Sequence, residues 1–125
     1  MKKISKIIGV LFMVFPSCLF QHNEKNLNYS LYNLSISTCD QSVLKSIYIY
    51  KNDLLIGNLK ALEGKDKFYL GKHNEGYLPN TIVKFNQKNQ KYLIQFPKGD
   101  LVYEVEVFTN KFGKIDSMAS LNFCK

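Results

Sequence analysis

The sequence predicts an all-β fold: a small antiparallel β-sandwich of immunoglobulin-like type, with a small up-and-down β-barrel as the runner-up. Three observations carry that expectation. Apolar residues alternate with polar ones in short runs, clusters of Gly, Pro, Asn and Asp separate the runs, and no convincing helical pattern follows the N-terminal segment. Alternation with a period of two gives each strand one face for a core and one for water.

The elements follow in order. Lys2, Lys3 and Lys6 precede an apolar stretch at residues 7–15 and a break at Pro16 and Ser17, the three-part form of an export signal. A permanent membrane span needs about 20 apolar residues, so this stretch is too short to be one. Residues 1–17 are therefore expected to be a signal peptide, residues 18–26 a polar tether, and residues 27–125 a single β domain.

Within the domain, Leu27, Tyr29 and Leu31 alternate with polar residues, and Leu34 and Ile36 continue in the opposite phase. The change of phase predicts a bulge, or two short strands, around Tyr32 and Asn33. Residues 46–59 read as a hairpin turning at Lys51, Asn52 and Asp53. Gly64, Gly71, Gly76 and Pro79 make the next segment loop-rich, with a short strand at residues 68–70. A second hairpin is expected from residues 82–85 and 92–96. The clearest strand is residues 101–108, in which Leu101, Tyr103, Val105 and Val107 alternate with Glu104 and Glu106. A last strand should run over residues 115–123, ending at Cys124.

Three cysteines, Cys18, Cys39 and Cys124, leave one over if all belong to the mature chain. Removal or lipidation of Cys18 resolves the count and leaves Cys39 and Cys124 as a pair. A disulfide between them is the expected outcome, against two buried free thiols or a metal site. No metal is expected, because two cysteines without nearby histidines do not complete a tetrahedral set.

Phe15-Pro16-Ser17-Cys18, after a basic start and a short apolar stretch, resembles the lipobox of bacterial lipoproteins. The resemblance covers residues 1–18 and implies that Cys18 becomes the lipidated first residue of the mature protein. It places the chain at the cell envelope, in the outer membrane or periplasm, with the membrane as partner through the lipid anchor. An ordinary secretory signal is the alternative.

Net charge is +7, all 17 basic residues being lysine; without the three in the export segment it falls to +4, with 14 lysines against 10 acids. The absence of arginine removes the guanidinium fork on which guanine readout and bidentate phosphate clamping rely, so no nucleic-acid partner is expected. The domain holds one histidine, His73, two residues before Glu75 in a Gly-bounded loop. No third group orients it, and no nucleophile elbow, P-loop or zinc-protease motif is present. Tyr48 and Tyr50, with His73 and Tyr77, are weak candidates for a binding surface; cross-strand packing is the competing role for the tyrosines.

These observations lead to the expectation of an exported, lipid-anchored, non-catalytic binding or structural protein of the cell envelope. It would need no cofactor, and its partner would be an envelope protein, a glycan or a target enzyme. The alternatives are a secreted or periplasmic inhibitor or immunity protein, and a lipocalin-like carrier of an apolar ligand.

Overall fold

The computed structural model describes residues 24–124 of the 125. Nine strands form two antiparallel sheets. They are β1 (Leu27–Ser30), β2 (Ser35–Thr38), β3 (Leu44–Lys51), β4 (Leu54–Lys65), β5 (Lys67–Tyr69), β6 (Tyr77–Leu78), β7 (Lys91–Lys98), β8 (Leu101–Thr109) and β9 (Ile115–Ala119). The smaller sheet has the order β1-β2-β5 and the larger β6-β4-β3-β7-β8-β9. Both sheets keep open edges, so the small antiparallel β-sandwich is the observed class and the closed barrel is not.

Turn chemistry sets the hairpins. Asn52 and Asp53 both take positive φ, 52° and 64°, and lie between the paired residues Lys51 and Leu54. Two left-handed residues match the right-handed twist of the flanking strands, which is why Asn and Asp are favoured there. The β8–β9 turn is built on Asn110, whose Oδ1 accepts from the backbone N–H of Phe112 at 2.8 Å and of Lys114 at 3.1 Å. Gly113 completes it at φ 77°, where a Cβ would come within 2.4 Å of the Asn86 carbonyl oxygen. Only glycine fits both demands.

Alternation then builds one core. Tyr92, Ile94 and Phe96 of β7 and Tyr103, Val105 and Val107 of β8 point inward, joined by Ile47 and Ile49 of β3. Leu27, Ile36 and Phe68 close over them from the small sheet. The Phe68 ring bridges the layers, edge-on to Phe96 at 6.3 Å and to Tyr77 at 6.4 Å.

Three expectations change. Residues 82–85 form no strand; β7, their expected hairpin partner, is paired on one side with β3 and on the other with β8, so it has no edge left for them. The last strand stops at Ala119, and Phe123 instead makes a parallel bridge to Leu27. Asn26, assigned to the tether, is buried, and its N–H donates to the Asn122 carbonyl at 2.9 Å. The expected signal peptide, with Cys18, lies outside the described residues. Cys39 and Cys124 form the expected disulfide, 85 residues apart in sequence with Cα atoms 6.6 Å apart.

Two inward tyrosines give the fold a dependence on alkaline pH. Burial, helped by the charge of Asp66, pushes the Tyr77 hydroxyl up to about 12, and that hydroxyl donates to the Leu44 carbonyl at 2.8 Å. Burial and the Glu24 carboxylate, which accepts from the Tyr103 hydroxyl at 2.9 Å, push Tyr103 up to about 12 as well. Unfolded tyrosine ionises near 10. The folded state therefore holds protons that the unfolded chain releases, and stability present below pH 10 is lost as pH rises toward 12. Urea titrations across that window should show a falling midpoint, with a shallower fall in Tyr77→Phe. An identical pH slope in the two proteins would exclude Tyr77 as a source.

Candidate functional site

A hollow of about 560 Å³ lies at one end of the sandwich, between the ends of the two sheets. One wall comes from the β1–β2 turn and the residues after β5, tied together by the Leu70 N–H, which donates to the Leu34 carbonyl at 2.8 Å. The other comes from the loop before β7 and the β8–β9 turn, which meet where Gly113 approaches Asn86. Leu70 and Phe85 are buried and Leu34 packs against the core, so the floor is continuous with the apolar interior. Phe85 is held edge-on to Tyr92 at 4.9 Å.

The rim is cationic. Lys72, Lys84 and Lys114 are exposed along it, and among the described residues no carboxylate lines the groove. Among the described residues the ion pairs are Lys91 with Glu106 at 3.4 Å and Lys98 with Asp40 at 3.7 Å, so none of the three rim lysines is neutralised by one. Lys72 Nζ stands 5.9 Å from the centre of the Tyr69 ring. Tyr32, 94% exposed, stands at the mouth. An apolar floor with a few charged groups at its edge is the general form of a small-molecule site, and about 300–1,000 Å³ is its usual size.

A second groove, about 480 Å³, runs over the outer face of β7, β8 and β9. Register aligns Tyr50, Leu93, Glu106 and Ala119 in one row across that face, and Tyr48, Gln95 and Glu104 in the next. Tyr48 and Tyr50 are half-buried there. The acids have partners: Glu104 accepts from Gln95 Nε2 at 2.7 Å, and Glu106 pairs with Lys91.

His73 is exposed in the loop after β5, beside a hollow of about 390 Å³ that includes Glu75 and the edge of Tyr77. Asn74 shapes that loop by accepting from the Tyr69 N–H at 2.8 Å and donating to the Tyr69 carbonyl at 2.9 Å. Tyr77 itself is a core side chain with its hydroxyl engaged by Leu44, which removes it from any exposed binding surface. The structure thus does not gather Tyr48, Tyr50, His73 and Tyr77 into one site. Among the described residues no cluster of His, Cys, Asp and Glu suited to a metal ion occurs.

The lysines of the end groove escaped the sequence reading because they come from three separate loops. Asn122 escaped it too: 2% exposed, it accepts from the Glu104 N–H through Oδ1 at 2.8 Å and donates through Nδ2 to the Glu24 carbonyl at 2.8 Å. An asparagine near a chain end carries no signal of such a role.

No protein-family model matches the chain, and no solved structure does. The chain is similar to the apolipoprotein N-acyltransferase of Campylobacter jejuni, with 34% identity over 113 residues. The match takes in 86% of this chain and 23% of the relative, so the chain spans less than a quarter of the protein it matches. This similarity corrects the expectation of a non-catalytic binding or structural protein, and with it the inhibitor and carrier alternatives, because the relative is an enzyme of lipoprotein acylation.

Proposed function

We propose that this chain serves lipoprotein N-acylation, the attachment of an acyl group to the amino group of an apolipoprotein, as the counterpart of one segment of an acyltransferase. The observation that carries the reading is the 34% identity with apolipoprotein N-acyltransferase over 113 residues. Because the match covers 23% of the relative, the reading gives this chain one part of the acylation machinery. The end groove supports it: an acyl group is apolar and leaves water favourably, and an apolar floor that reaches the core can receive one. A cell-envelope location belongs to the same reading, with Cys18 as the point of lipid attachment.

The test is the mass of the N-terminal peptides of lipoproteins from the source organism, with the gene present and deleted. Deletion is expected to leave those peptides lighter by one acyl group, restored by re-expression of the full chain. Unchanged masses would overturn the reading.

A further inference from the structure

We propose that the end groove binds a single-chain anionic amphiphile: a fatty acyl chain lies along Leu31, Leu34 and Ile115, above the buried Leu70 and Phe85, and its anionic head group is held by Lys72, Lys84 and Lys114. The inference deepens the acylation reading and rests on it for the choice of an acyl chain. The geometry supplies the rest. Floor and rim have opposite character, so the ligand must be apolar along its length and charged at one end. Three cations with no lining carboxylate select a negative head, since a cationic one would be repelled and a neutral one would leave the lysines without a counter-charge. A lysine ammonium is a point charge rather than a fork, which suits a tetrahedral phosphate head group of variable orientation better than a planar acid.

The groove is also preformed. The Gly113 turn is held by the N–H that Gly113 donates to the Asn110 carbonyl at 3.0 Å, and the Leu70 to Leu34 hydrogen bond fixes the opposite wall. Gly71, at φ 72° within the wall, has open space where a Cβ would lie, so the backbone there borders the hollow directly. Walls already in place need little ordering on binding.

Equilibrium titration of the purified full chain tests this, using dodecyl phosphate below its micelle concentration, dodecyl phosphocholine as the zwitterionic control and inorganic phosphate as the head group alone. Dodecyl phosphate is expected to bind one per chain, about tenfold or more tighter than dodecyl phosphocholine, with inorganic phosphate failing to compete at equal concentration. The triple variant K72E/K84E/K114E should lose about tenfold or more of that affinity with its thermal midpoint retained. Leu31→Glu, which alters an exposed apolar position of the wall, should weaken binding by a similar factor while leaving the lysines intact. Equal affinity for the two dodecyl ligands, undiminished binding by the triple variant, or attachment to anionic vesicles without binding of the monomer would each overturn the proposal. Its failure is separable from that of the acylation reading. Binding with unchanged lipoprotein masses sinks only the latter, and altered masses without binding sink only the former.

Discussion

Replacing Cys39 and Cys124 together by serine is expected to lower the unfolding free energy by about 4 to 5 kcal/mol. The bond closes a loop of 85 residues, and the chain-entropy account gives that figure for a loop of this length. It compares with a whole net stability of about 5–15 kcal/mol for a domain of ordinary size. The two cysteines lie in short segments that are both held by the backbone of a third, Asn26 and Leu27. The Cys39 N–H donates to the Asn26 carbonyl at 2.7 Å and the Cys124 N–H to the Leu27 carbonyl at 2.8 Å. These contacts are expected to hold the native arrangement without the bond, so that the cost falls on the unfolded side of the equilibrium. Urea unfolding of the oxidised protein, the reduced protein and the double serine variant should give one high and two equally low midpoints. A difference below about 1 kcal/mol would show that the denatured chain is already compact enough to make the cross-link redundant.

Phe68→Ala should cost about 3 to 5 kcal/mol, the range for a large aromatic removed from a packed interior. The residue sits on a strand of three residues whose sheet has only two other strands, and its ring is 2% exposed between Tyr77 and Phe96. Such a short strand has few hydrogen bonds of its own to hold it, so the buried ring packs β5 against the large sheet, to which the single residue Asp66 joins it along the chain. Phe68→Leu, which keeps most of the volume, should cost less than half as much. Equal losses for the two variants would place the effect in the aromatic edge contacts rather than in filled space.

Legibility in the sequence followed the range of the interactions. The strand at residues 101–108 was plain because Tyr103, Val105 and Val107 alternate with acids, and the observed β8 keeps that phasing. The Asn52-Asp53 turn was legible for an equally local reason, since those residue types tolerate positive φ. Residues 82–85 carry a strand composition too, but the expected hairpin needs a free edge on β7, and β3 and β8 occupy both of its edges. The pairing of the cysteines came from counting rather than geometry. The end groove was hidden because Lys72, Lys84 and Lys114 look like any surface lysines until the loops that bear them are brought to one rim.

The meeting of the described chain's two ends has a consequence for when the protein acquires its shape. Asn26 and Leu27 both donate to the carbonyl of Asn122, and Leu27, fully buried, bridges Phe123. β1 can pair with β2 early, but the outer partners of Leu27 are supplied only by Asn122 and Phe123, far later in the sequence. Ribosomes add about 5–20 residues per second, so Leu27 spends several seconds made but without its last neighbours. During that interval the growing polypeptide stays unfinished and threadable, and this contact of Leu27 closes only once Asn122 and Phe123 have emerged.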